Sequence, residues 1–261
     1  MPPRMTQTER NAITDPAEGL MIYNTTQNCM NVFVKYWRNL CAFDNTASIG
    51  TITFDGLDYE TVFNPVTGLT WLDRNLGASQ AATSSTDSDS YGDLYQWGRA
   101  ADGHEDRTST EYIAVETTDG VANFNASGND WDGEFITRDS GVHNWVNPSV
   151  SGVDDLWQGV NGTNNPCPAG YRIPTEAELN AERLSWSSNN PAGAFGSPLK
   201  LPVAGFRSRS TGGLDVVGSR GHYWSSTVSG ANARGLSFSS SSANMSASNR
   251  ANGFSVRCLK D

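Results

Sequence analysis

The chain has 261 residues and carries 18 Lys and Arg against 28 Asp and Glu, a formal charge of −10 at pH 7. That balance excludes a general nucleic-acid binder, whose affinity depends on neutralising phosphates with basic side chains. Charged residues are only 18% of the chain, so the polar surface is built chiefly of Ser, Thr, Asn and Gly, while eight Trp, ten Phe and eight Tyr supply the apolar surface of a packed core.

No apolar run approaches the roughly 18 residues needed to cross a bilayer, which argues against direct membrane insertion. The polar start, residues 1–10, reads as mid-protein sequence, with the expectation of a further N-terminal region before it. Residues 1–46 form a first small element: a polar lead, a strand at residues 20–23 and a second strand at residues 32–37, together a β-hairpin connector. A two-stranded hairpin is marginal alone, so this element must pack, associate or be stapled. Residues 47–261 form the main domain. It opens with short strands at residues 51–54, 60–63 and 69–72, separated by turn signals at Asp55-Gly56 and Asn64-Pro65.

Two helices are expected next. Ser90, with Asp93 three residues on, caps the first, whose stripe is Leu94, Trp97 and Ala101 and whose end is Gly103. Thr175 and Glu178 form the capping box of the second, with Ala177, Ala181 and Leu184 along one stripe. Between them, residues 102–168 are acidic, rich in Gly, Asn and Asp, and weakly patterned, an insertion pinned to the core by Trp131, Trp145 and Trp157.

The last 62 residues differ in kind. They hold eight Lys and Arg against two Asp, a local charge of +6 that leaves −16 on the first 199. Ten serines fall between Ser225 and Ser248. The apolar anchors Tyr223-Trp224, Leu236/Phe238 and Phe254/Val256 read as short strands with buried alternate positions.

Four cysteines, Cys29, Cys41, Cys167 and Cys258, allow three pairings. Cys29 and Cys41 flank a strand-rich stretch that a hairpin staple would close; Cys167 and Cys258 would then join a mid-chain loop to the last strand. The alternative is four buried thiols in a reducing compartment. No spacing is a CxxC, and His104, His143 and His222 lack an i,i+4 relation, so no metal or triad site is expected. Asp87, Asp89 and Asp93 offer hard oxygen ligands for a structural Ca²⁺, without the Gly and terminal Glu of an EF-hand loop.

Several separated motifs carry a resemblance. Residues 167–178 read Cys-Pro-Ala-Gly-Tyr-Arg-Ile-Pro-Thr-Glu-Ala-Glu, residues 68–77 Gly-Leu-Thr-Trp-Leu-Asp-Arg-Asn-Leu-Gly and residues 91–99 Tyr-Gly-Asp-Leu-Tyr-Gln-Trp-Gly-Arg. With Tyr-Trp-Ser-Ser at 223–226 and Gly-Phe-Ser-Val-Arg-Cys at 253–258, they resemble C-type-lectin-like domains of the formylglycine-generating-enzyme branch, especially the Fibrobacter succinogenes major paralogous domain. The resemblance covers residues 51–261 and implies an α+β C-type-lectin-like fold with short mixed and antiparallel strands, two helices and long loops.

Residues 205–258 further resemble the variable region of a diversity-generating retroelement protein, in which a C-type-lectin scaffold displays residues diversified at template adenines. Ser208, Arg209, Asp215, Val216, Arg220, His222, Gly235, Ser237, Ser239, Ser246 and Ser248 are all reachable from Asn codons by changes at adenine. The resemblance makes them the ligand-binding positions, with Tyr223, Trp224, Leu236, Phe238, Phe254 and Val256 as scaffold. Tyr223 doubles as a stacking ring beside Arg209, Arg220 and His222 on a basic, Ser-rich face.

The function implied is recognition of a protein or glycan ligand on a cell surface, without catalysis and without a cofactor, by a protein outside the cytoplasm on a bacterial surface or a phage virion. The alternatives are a non-diversified adhesin or a phage tail-fibre structural protein. An oxidase of the formylglycine-generating type requires a pair of copper-binding cysteines, and only Cys258 lies in the C-terminal quarter. The N-terminal element is similar to connectors of bacterial surface proteins and phage tail fibres, so oligomerisation is expected to run through it.

Overall fold

The computed structural model describes residues 2–26, 28–34, 36–39, 51–113, 120–137 and 144–261. The chain divides into two compact units, Met1–Gly50 and Thr51–Asp261. The boundary expected between residues 46 and 47 lies outside the described residues.

In the first unit the polar lead is structured. Strand β1 (Arg4–Met5) is followed by α1 (Gln7–Asn11), which Thr6 and Glu9 close with a capping box. Strands β2 (Met21–Asn24), β3 (Cys29–Val34) and β4 (Tyr36–Asn39) complete a sheet of order β1-β2-β3-β4, parallel between the first two and antiparallel thereafter. The expected second strand at residues 32–37 is therefore two strands: β3 ends and β4 returns antiparallel along it. An apolar run carries no mark of direction, so a reversal inside it is invisible to periodicity.

The second unit opens with the hairpin of β5 (Ile52–Phe54) and β6 (Leu57–Tyr59). Asp55 and Gly56 both take positive φ, 49° and 73°, the two-residue turn that an Asp-Gly pair favours. Strands β7 (Thr61–Asn64) and β8 (Leu69–Leu72) follow as an antiparallel pair.

The first expected helix is absent. A 3₁₀ turn covers Ser88–Ser90, Gly92 takes φ +62°, and residues 94–99 run buried through the short strand β9 (Tyr95–Gln96) and a turn at Trp97-Gly98. A Cβ at Gly92 would stand 2.2 Å from the Leu76 carbonyl oxygen, so the chain turns where the helix would have begun. Leu94, Trp97 and their neighbours are buried on all sides, which removes the one-sided stripe assumed for them.

The insertion holds the parallel pair β10 (Glu111–Ile113) and β11 (Phe135–Thr137). Trp131, Trp145 and Trp157 are all buried; the first two pack with Val121, Ile136, Val146 and Leu156, the third with Trp97. After β12 (Tyr171–Arg172), α2 (Glu176–Leu184) starts from the Thr175–Glu178 capping box. Its inner face is Leu179 and Glu182, not Ala177, Ala181 and Leu184; Leu184 is 65% exposed. Glu182 is tolerated inside because Asn64 and Trp186 both donate to its carboxylate. A short α3 (Pro191–Gly196), capped by Asn190 with Pro at its first position, had no apolar stripe to announce it.

The Ser-rich tail becomes the largest sheet. Strands β13 (Phe206–Arg207) and β14 (Leu214–Asp215) precede a meander of β15 (Gly221–Ser229), β16 (Asn232–Ser239) and β17 (Ser242–Asn249), and β18 (Gly253–Phe254) and β19 (Leu259–Lys260) end the chain. The three meander strands are eight or nine residues long, and β17, with Met245 its largest apolar side chain, was not foreseen as a strand. Sheets of order β12-β19-β8-β7 and β14-β13-β18-β9 flank it. The result is a strand-rich α+β unit. The Cys167–Cys258 disulfide ties the loop before β12 to the segment before β19. Cys29 is also disulfide-bonded; Cys41, its expected partner, lies outside the described residues.

Candidate recognition face

Strands β16 and β17 pair in unbroken register over all eight residues, which fixes the side each residue faces. On one side stand Tyr223, Leu236, Phe238, Ala243 and Met245, packed with Leu179 and Trp186. On the other stand His222, Ser237 and Asn244 in one cross-strand row, Trp224, Gly235 and Ser246 in the next, and Ala233 with Ser248 beyond. The expected display positions of the meander thus share one face. That face is roofed where Trp224 stacks on Phe254 (4.2 Å between centroids) and open along the His222 row.

The open part is a cleft of about 160 Å³ lined by Arg220, His222, Ser237, Phe238, Ser239, Ser242 and Asn244. Four of these were expected as ligand-binding positions. Ser242 and Asn244 were not; strand alternation continued from Ser246 and Ser248 would have found them. His222 stands between the Phe206 and Phe254 rings, 5.0 Å from each centroid, with Nδ1 3.0 Å from Ser237 Oγ. Burial, then the nearby Arg220 charge, pulls its pKa down to about 4 against the opposing pull of Asp215, so the imidazole is neutral above that pH. The cleft therefore offers hydroxyls, a carboxamide and a neutral ring, with Arg220 as its cation.

The remaining expected positions scatter. Ser208 and Arg209 lie in the β13–β14 turn, where the Arg209 backbone N–H donates to Asn252. Asp215 and Arg220 are exposed, and Val216 takes a positive φ of 49° between them. Gly235 is a correction: it is buried, and a Cβ there would meet the Tyr223 carbonyl oxygen at 2.7 Å, so it presents nothing to a ligand. Tyr223 is another, since its ring is fully buried and its hydroxyl donates to the Pro202 carbonyl. Trp224, Leu236, Phe238, Phe254 and Val256 are buried too.

The face is less basic than the local charge of +6 implies. Arg207, Arg250 and Arg257 are 3% exposed or less. Arg207 lies 4.3 Å from the Phe135 ring centroid, and Arg250 lies 4.4 Å from that of Trp97 while pairing with Asp154 at 2.7 Å. Arg257 donates to Asn75 and the Leu199 carbonyl, and Arg234 pairs with Glu176 on α2 at 2.6 Å. Half of the +6 is spent in the interior, where charge cannot steer a ligand. A larger cavity, about 740 Å³, lies at the opposite end of the meander between residues 144–155, the Gly230-Ala231 turn and Arg250, and includes none of the expected positions.

Residues 1–62 match the family described as phage tail like trimerisation region. No curated protein and no solved structure matches the chain. The matched region takes in the whole first unit and the β5–β6 hairpin of the second, and so includes the α1 capping box, the four-stranded sheet and Cys29. It stops well short of the face built on β15 to β17.

The candidate calcium ligands are not gathered into a common ligand set among the described residues. Asp87 instead caps the 3₁₀ turn, accepting from Gln80, Thr83 and the Asp89 backbone N–H. The cluster that does form is Asp102, His104 and Glu105. His104 Nε2 accepts the Gln96 backbone N–H, so its proton sits on Nδ1, 2.8 Å from Asp102 Oδ1 and 3.1 Å from Glu105 Oε2. Both ring nitrogens are thus engaged within the protein. Cys258, tied to Cys167, has no thiolate to offer copper, and His143 lies outside the described residues.

Asp93 stands apart from its neighbours. Burial, then Glu105, Asp106 and Asp55, push its pKa up to about 7. Between the ordinary 3.8 and 7 the folded state holds a proton that the unfolded state has lost, so stability falls as pH rises through this window and levels off above it. The full effect is about 4 kcal/mol. Asp93→Asn should be more stable than wild type at pH 8 and equal to it near pH 4 in urea titrations; an unchanged pH slope would refute the assignment.

Proposed function

We propose that this chain is a receptor-recognition protein of a phage-tail-like fibre, in which the N-terminal unit trimerises and the second unit meets a protein or glycan on a cell surface. The observation that carries this reading is the trimerisation-region match at residues 1–62. The disulfides fit a virion or another extracellular setting, since such bonds persist in oxidising surroundings. The reading is recognition without turnover, by a cleft that holds a neutral imidazole braced by Ser237 among small polar side chains.

Two measurements test it. Light scattering should give three times the 28.1 kDa of one chain. Fluorescently labelled protein should be retained on intact bacterial cells of a host strain, and filling the cleft with Ser239→Tyr, Ser242→Tyr and Asn244→Tyr together should abolish retention while each change alters stability by about 0.5 kcal/mol or less. Retention unaffected by the triple variant would place recognition elsewhere.

A second reading has its own support. The one-sided placement of His222, Ser237, Ser239, Ser246 and Ser248, with Leu236 and Phe238 turned to the core, is the distribution a diversified C-type-lectin-like scaffold would require. A reverse-transcriptase gene beside this one, with a near-copy of codons 205–258 differing only at adenines, is its test.

A further inference from the structure

The N-terminal sheet has its polarity reversed. Register places Ile22, Asn24, Cys29 and Asn31 on one face, and α1 covers it: Gln7 accepts from Asn24, and Arg10 donates to Asn31 at 2.7 Å. This covered face buries three polar side chains, Arg10, Asn24 and Asn31, whereas Ile22 and Cys29 are the apolar residues buried in the unit among the described residues. The opposite face carries Met21 against Val32 and Tyr23 against Met30, and none of the four is buried; Met21 is 43% exposed. Arg4 lies over the Tyr23 ring at 4.6 Å, placing a cation beside this apolar patch.

A unit of about 50 residues buries too little surface to be robust alone, and one that spends its interior on a polar network needs apolar burial elsewhere. Met side chains conform to irregular partners, which suits a contact formed between chains. We infer that the Met21, Tyr23, Met30 and Val32 face is the trimer contact, its occupant being the same face of two further copies of this chain. The inference rests on the trimer reading and adds where the contact lies.

The full-length protein tests it. Met21→Asp with Val32→Asp would bring two carboxylates per copy into an apolar contact. The mass from light scattering should fall to one third of the wild-type value, with the far-UV spectrum retained. Thr8→Asp, on the exposed side of α1, and the conservative Met21→Leu with Val32→Leu should both remain trimeric. In the wild-type trimer, Met21 should resist oxidation by hydrogen peroxide. A wild-type monomer would overturn the trimer reading itself. A trimeric Met21→Asp, Val32→Asp protein, or rapid Met21 oxidation within a wild-type trimer, would overturn the placement and leave that reading intact.

Discussion

Arg257→Met is expected to lower the unfolding free energy by about 3–5 kcal/mol, one of the largest single-residue effects in the second unit. The Arg257 guanidinium is wholly buried and donates to Asn75 Oδ1 at 2.9 Å and to the Leu199 carbonyl at 2.7 Å, with longer bonds to the Leu72 and Asp73 carbonyls. It thereby ties the end of β8 to the segment after α3 and to the C-terminal strand region. Methionine fills much of the same space but leaves these acceptors without donors, and the cost of an unsatisfied buried acceptor exceeds the net worth of the bond it lost. Lysine would not rescue the variant, because a point charge on a flexible stem cannot reproduce the fork of donors. Arg220→Met, on the exposed rim of the cleft, should change stability by about 0.5 kcal/mol or less. Urea titration of the three variants checks this, and a loss under 1 kcal/mol for Arg257→Met would contradict it.

The second large effect concerns the Cys167–Cys258 disulfide. It closes a loop of 91 residues, and in the chain-entropy account a loop of that size stabilises the folded state by about 4–5 kcal/mol. Cys167→Ala with Cys258→Ala should therefore lower the melting temperature of the second unit by roughly 10–15 °C. The cross-link sits in the cluster that contains Trp97, Trp157, Trp224 and Phe254, so its loss should also loosen the roof over the recognition face. Faster amide exchange at β15 and β18 in the variant is the expected sign; an unchanged melting temperature would show that packing alone holds the loop.

Much of the scaffold was legible because local chemistry dictates it. The Asp55-Gly56 turn, the Thr175–Glu178 cap and the burial of Trp131, Trp145 and Trp157 all depend on a residue and its near neighbours, and all are present. Residues 90–103 failed for the opposite reason. Leu94, Trp97 and Ala101 fit a helical stripe, but residues 94–99 are all buried while Ala101 is exposed, which leaves no stripe to read, and the turn at Gly92 follows from a close approach to Leu76 that only the folded chain contains. The face was half legible: the resemblance marked Ser237, Ser239, Ser246 and Ser248, while Ser242 and Asn244 were missed because β17 was not read as a strand, and the row of His222, Ser237 and Asn244 depends on a register that no single strand encodes.

Charge shows most clearly where the division falls. By itself the sequence determined the −10 balance and the concentration of basic residues in the last 62 positions. It read that concentration as a basic face. The tertiary structure alone decided that Arg207, Arg250 and Arg257 turn inward, each satisfied by carbonyls, rings or a carboxylate, and that Arg234 is neutralised by Glu176. Net charge is a sum over residues and carries no positions. Whether a guanidinium faces water or a ring depends on contacts between segments far apart in the chain, and these exist only once the sheets have closed.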